Sequence, residues 1–294
     1  PSICNNIYFA PGAHIHNQHL LQYEKAFVDM SMPAGKWNMM SAPLQDMYSG
    51  DMFVPHTGWW NDGESRESTK PFEVAAFAGR RHTDAAYAFW QGFYNQANLV
   101  NYAQGNKTIK TSVAANFVQS NTLSQPLQAG AGFQVYALGP GEDGNTGTIT
   151  VRLPKKEDSF EYYNPDGTPS GQMTEKLNRE NAHKLAFTAT KSEPMSITLT
   201  NNVASEYFVF GNPTMAYINM HDFLYDNDKV EHIFYRLENE SWNADAAPTM
   251  GENRYLAPMT SVMLKAKSKG TSIDVILKPE HLTLTDLDDP FSKE

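Results

Sequence analysis

The chain carries a single cysteine, Cys4, among 294 residues. No intrachain disulfide is available, and neither a Cys-x-x-Cys redox pair nor a cysteine-rich zinc site can be built. Charge is scarce as well: Asp, Glu, Lys and Arg make up 19% of the residues, and no run of Lys or Arg interrupts a formal net charge of -10. An acidic chain without a basic patch repels a phosphate backbone, which argues against nucleic acid as a partner. No apolar run approaches the roughly 18 residues that cross a bilayer as a helix, so no membrane-spanning segment is expected in this chain. Absent motifs narrow the chemistry further. The chain has no Gly-x-Ser-x-Gly elbow, no glycine-rich phosphate loop and no His-Glu-x-x-His. That removes the signatures of serine hydrolases, nucleotide-binding folds and zinc proteases, and no cofactor is implied.

What is present is core-forming material. Hydrophobic residues account for 40% and aromatics for 12%, a globular composition with a surface left to Asn, Thr, Ser and Gln. The chain opens on Pro1-Ser2-Ile3-Cys4 without Met or a signal peptide, and it is expected to be a piece of something longer.

Strand signals dominate the pattern. Ile7-Tyr8-Phe9 stops at Pro11-Gly12. Tyr23 to Met32 alternates in character up to Pro33-Ala34-Gly35, and Trp37 to Ser41 closes at Pro43, which predicts two adjacent strands joined by a short turn. Residues 44–71 read as a long loop. Asp84 to Asn95 has helical spacing of Tyr87, Trp90 and Tyr94, yet its aromatic density fits a buried strand equally well. Gly132 to Leu138 and Thr148 to Leu153 predict a strand-turn-strand unit. Phe160 to Tyr163, followed by Asn164-Pro165-Asp166-Gly167, predicts a hairpin. Beyond these come strands at Leu185 to Thr190, Met195 to Thr200, Tyr207 to Phe210 and His232 to Leu237, and a short helix over Ala216 to Leu224. Ser261 to Ala266 and Ser272 to Leu277 read as a last hairpin turning at Lys269-Gly270. The expected fold is all-β, made of antiparallel, jelly-roll-like sandwich modules with one or two short helices. Two modules are expected, residues 1–140 with the long 44–71 loop, and residues 141–294.

Two clusters are candidates for chemistry. His14, His16 and His19 are metal-ligand types, and the i, i+2 spacing of the first two puts them on one face of a strand. No Asp or Glu flanks them, and a solvated loop after Pro11-Gly12 is the competing reading. Trp59 and Trp60, with Asn61, Asp62 and Glu64, are the material of a sugar site, because exposed rings stack on sugars while amides and carboxylates bond hydroxyls. Packing of both indoles beneath the loop competes with that reading. Asp226, Asp228 and Glu231 crudely resemble a calcium loop but lack its glycine. No pair of carboxylates stands out for glycoside hydrolysis.

Several phrases carry a family likeness: Phe9-Ala10-Pro11-Gly12-Ala13, Gly35-Lys36-Trp37-Asn38-Met39-Met40-Ser41-Ala42-Pro43-Leu44, Gly211-Asn212-Pro213-Thr214-Met215-Ala216 and Leu256-Ala257-Pro258-Met259-Thr260-Ser261-Val262. In this order they resemble the large secreted surface proteins of Bacteroidetes bacteria. The resemblance implies an exported β-sandwich module near the C-terminal part of a long chain, displayed at the outer membrane. It brings no catalytic residues. The expectation is a non-catalytic structural or adhesive module of a cell-surface assembly, with other surface proteins or extracellular glycan as partners. The rival expectation is a carbohydrate-binding module or glycan-active enzyme using the Trp59 and Trp60 loop.

Overall fold

The computed structural model describes residues 3–33, 35–48, 51, 89–94, 117–119, 126–137, 147–154, 161–163, 169–173, 180–239 and 241–283. Its strands, in chain order, are β1 (Cys4–Phe9), β2 (Tyr23–Pro33), β3 (Trp37–Ser41), β4 (Met47–Tyr48), β5 (Phe89–Tyr94), β6 (Phe117–Gln119), β7 (Pro126–Leu127), β8 (Gly132–Ala137) and β9 (Thr148–Leu153). They continue as β10 (Glu161–Tyr163), β11 (Pro169–Met173), β12 (Met195–Gly211), β13 (Tyr217–Asn219), β14 (Val230–Glu238), β15 (Ser241–Ala246), β16 (Tyr255–Leu256), β17 (Ser261–Leu277) and β18 (Leu282–Thr283). One α-helix, α1 (Met220–Asp226), lies between β13 and β14 among the described residues. The fold is all-β and sandwich-like, with open sheets that are almost wholly antiparallel. The exception is β1, which runs parallel to β2.

Two large cores organise these strands, with a smaller cluster of Met39, Val209 and Met263 beside them. In the first, the sheet β1-β2-β9 faces β3 and β8 of the sheet β3-β8-β5-β6. Alternate residues of β2, namely Ala26, Val28, Met30 and Met32, bury one face against Met40, Phe133 and Val135. These residues follow the strand's period of two, and Phe27 and Asp29 between them are buried on the opposite face. Methionine recurs through this core, and its flexible thioether fills irregular gaps between sheets. In the second core, the sheet β12-β17-β14-β15 packs Phe208, Phe210, Leu264, Phe234 and Val275 against Phe223 and Leu224 of α1. Phe210 and Phe223 stack with ring centroids 4.5 Å apart. Asn219 caps the helix, its side-chain oxygen accepting from the His221 N–H at 3.2 Å.

The cores meet at a seam of small residues. The Gly211 N–H donates to the Gly130 carbonyl and the Ser41 N–H to the Met259 carbonyl, both at 2.9 Å. Asn212 pins the seam from within. Fully buried, its amide donates to the carbonyls of Ala216, Leu256 and Ala257, while its oxygen accepts from the Thr214 N–H and hydroxyl. Residues on both sides of position 140 share a sheet, since β9 pairs β2 over Val28↔Leu153 to Pro33↔Thr148.

Several local expectations are corrected. β2 and β3 do not pair; each joins a different sheet and faces the other across the first core. Pro33 ends β2 opposite Thr148 of β9, and the Asn38 amide of β3 donates to the Pro33 and Lys36 carbonyls at 3.0 Å. β8 and β9 likewise find separate partners, β3 and β2. Leu185 to Thr190 forms no strand: Leu185 makes one isolated bridge to Leu44, and the stretch spends its carbonyls on distant groups, Phe187 on the Gln18 amide among them. The expected hairpin at Lys269-Gly270 is one continuous strand, β17, whose two halves pair the two halves of β12. Gly270 stands opposite Ser205 where that ladder shifts register, so the glycine marks a bulge and not a turn. The helix expected from Ala216 starts at Met220, preceded by β13. Of the alternatives for Asp84 to Asn95, residues 89–94 are a strand. The hairpin of β10 and β11 forms as expected. The 44–71 loop is described only at residues 44–48 and 51, where β4 pairs β7.

Candidate functional site

β17 changes its neighbour along its length, and that change opens a groove. From Ala266 to Met263 it pairs β14, the last pair being Tyr235↔Met263. Three residues further on, just before β17 begins, the bridge Met40↔Thr260 shows β3 occupying the place that β14 held. β14 diverges there to turn into β15 through Glu238↔Ser241. Between the diverging strands lies a groove of about 740 Å3, walled by β2 from Asp29 to Pro33, β3 from Trp37 to Met40, Arg236 to Asn239 of the β14 end, and the stretch Tyr255 to Val262. Its size falls within the range of sites that take small ligands or short polymer segments.

The lining is aromatic, amide-bearing and methionine-rich. Trp37, Tyr217 and Tyr255 are half-buried. Met39 and Met259 are buried in the floor. The acidic groups have partners inside the protein: Asp29 is clamped by both Nε and Nη2 of Arg152, and Glu238 by Arg236. Arg236 also donates to Asp245 at 2.6 Å. Burial works against its charge, but Asp245 and Glu238 outweigh that and raise its pKa further. Two residues of the lining hold left-handed backbone, Asn239 at φ 49° and Met259 at φ 59°. Asn tolerates this region in a tight turn, whereas Met rarely adopts it. The Met259 conformation persists because its carbonyl is tied to the Ser41 N–H. Ser261, at the edge of the groove, is buried with its side chain against Gly132 of β8, and its hydroxyl has no hydrogen-bond partner among the described residues.

The histidines singled out in the sequence are divided between two places. His14 stays by the groove, its Nδ1 3.3 Å from the Gly12 carbonyl and its ring edge-on to Tyr217 at 5.7 Å. His16 and His19 line a separate pocket of about 460 Å3 with Lys191 and Glu280. His16 Nε2 donates to the Leu282 carbonyl at 2.9 Å. The shared face required a strand, and residues 13–17 form none. Among the described residues no group of three or more His, Cys, Asp or Glu is arranged to hold a metal ion. Trp59, Trp60, Asn61, Asp62 and Glu64 lie outside the described residues. Trp37, Tyr217, Tyr255 and Arg236 escaped the sequence reading because each sits inside or beside a strand pattern, with no motif to mark it.

A buried histidine behind the same sheet is pH-sensitive. His281 accepts the Lys278 N–H at Nδ1, 3.1 Å away, and its Nε2–H donates to Asp226 at 2.9 Å. Both ring nitrogens are thus used by the neutral tautomer. Burial lowers the pKa of His281 below its ordinary 6.5, against the pull of Asp226. Asp226 in turn is held below the usual carboxylate range by Lys278 first and His281 second. The folded protein therefore binds fewer protons here than the unfolded chain does as pH falls below 6.5, and stability declines from there to the folded pKa of His281. Asp226 adds a second loss in more acid solution, as pH drops through its own folded pKa. Denaturant titrations across this range are expected to give a steeper pH slope for the native chain than for His281→Gln. Equal slopes would show that His281 is not the group responsible.

Comparison with protein-family models, curated proteins and solved structures returns no match for this chain. Among the described residues, no helix is long and apolar enough to cross a membrane.

Proposed function

We propose that this chain is a non-catalytic structural or adhesive module of a large surface-exposed protein, and that the groove beside β3 is where it grips a partner in a cell-surface assembly. The observation that carries the reading is the fork itself: two strands separate over a shared neighbour and leave an open cleft lined by Trp37, Tyr217 and Tyr255. Half-buried aromatic rings beside amides give a surface that binds through contact area. The internal pairing of Asp29 and Glu238 supports this, since each carboxylate already serves a guanidinium.

The test is binding and recovery. The native chain and Trp37→Ala are immobilised and titrated with purified outer-surface proteins and with neutral extracellular polysaccharides, and each bound partner is recovered for mass spectrometry. Saturable binding, weakened on the order of tenfold by Trp37→Ala and with the partner recovered intact, is the expected result. A cleaved partner, or binding that ignores Trp37, would overturn the reading.

A further inference from the structure

β14 offers the groove a main-chain edge, and the direction of its peptide groups follows from the ladders around it. In an antiparallel pair, residues alternate between those that exchange main-chain hydrogen bonds with one neighbour and those that face the other way. The pair Glu238↔Ser241 closes the turn between β14 and β15, so the peptide groups of Glu238, Arg236 and Phe234 face β15. Those of Tyr235 and Leu237 face the opposite side. For Tyr235 that side is occupied by Met263 of β17. An independent check comes from β17: the Asn212 N–H donates to the Thr260 carbonyl at 2.9 Å, which turns Thr260 and Val262 towards β12 and leaves Ser261 and Met263 facing β14 and β3. The ladder would continue as Leu237 with Ser261, but Met40↔Thr260 shows that β3 has taken that position. Leu237 therefore directs its N–H and C=O into the groove, with no strand on that side among the described residues.

We infer that the groove takes an extended polypeptide segment, which adds as a strand to the Leu237 edge of β14; this rests on the groove being the binding site. Exposed strand edges are templates for main-chain pairing. Charge selects the occupant further. Asp29, Arg236 and Glu238 are already paired within the chain, and the remaining charge of the lining, Lys36, is exposed at its edge, so the inner part of the groove suits a neutral segment, with apolar residues alternating onto the methionines of the floor. The β2 and β3 walls span about four or five residues, which sets the length of the docked strand.

The experiment uses the isotope-labelled full chain and two synthetic probes: a short peptide alternating valine and threonine, and the same peptide with alternate amides N-methylated. Amide exchange is read residue by residue. The unmodified peptide is expected to slow exchange at Leu237, and N-methylation to weaken binding on the order of tenfold by removing a main-chain hydrogen bond. Binding of both peptides with equal strength, or peptide binding without protection at Leu237, would overturn strand addition. If neither peptide binds while a neutral polysaccharide does so through Trp37, the groove is a binding site but not for a strand. If nothing engages Trp37, both readings fall together.

Discussion

Arg152→Met is expected to destabilise the protein by about 3–5 kcal/mol, because it leaves the Asp29 carboxylate buried without its counter-charge. Arg152 is fully buried and Asp29 nearly so, on paired positions of β2 and β9. The guanidinium meets the carboxylate with two nitrogens on two oxygens, the geometry in which an ion pair best offsets its own desolvation. The arginine also lies over the Tyr8 ring, 6.0 Å from its centroid, and Tyr8 stacks on Phe27 at 5.0 Å. Replacing both partners tests where the energy resides. Asp29→Leu with Arg152→Met removes both charges, and a large part of the lost stability should return in equilibrium unfolding by urea. A single Arg152→Met that unfolds within about 1 kcal/mol of the native chain would place that ion pair among the weak, solvent-screened ones.

The second large effect lies at the seam. A Cβ built on Gly211 would stand 2.3 Å from the Ser41 Oγ, 2.5 Å from the Ser41 Cβ and 3.0 Å from the Ala131 carbonyl oxygen. Backbone is on one side and a short, buried side chain on the other, so neither can move aside at little cost. Gly211→Ala is expected to lower stability by about 3 kcal/mol, the upper range for an overpacked site. Combining it with Ser41→Gly removes the closest clash and should recover part of the loss, a coupling that a double-mutant cycle measures. Additive effects of the two changes would mean that Ser41 is not what Gly211 accommodates. Gly132 repeats the arrangement, with Ser261 and Val209 each 2.4 Å from its built Cβ.

These two sites also show what could be read in advance. The alternation of β2 was plain, and Ala26, Val28, Met30 and Met32 do face one core. The same alternation places Asp29 on the opposite face, but nothing local announces that Arg152, in a distant strand, will bury with it. Gly211 looked like the stop after Tyr207 to Phe210, which it is. Its second role, admitting Ser41, depends on a strand far away in the chain. Gly270 misled in the other direction, since a Lys-Gly step between two alternating runs has the local form of a turn while the pairing with β12 makes it a bulge. The Asp-Gly signal after Tyr163 worked because a hairpin is specified by adjacent residues.

The sequence by itself determined that the chain is all-β, where most strands run and which faces they bury, because period-two patterning and turn chemistry are short-range properties of the backbone. Partner choice was left to the tertiary structure. Whether β17 lies beside β14 or β3 at a given residue depends on which buried surfaces compete for it, and the groove exists only because that neighbour changes between Met263 and Thr260.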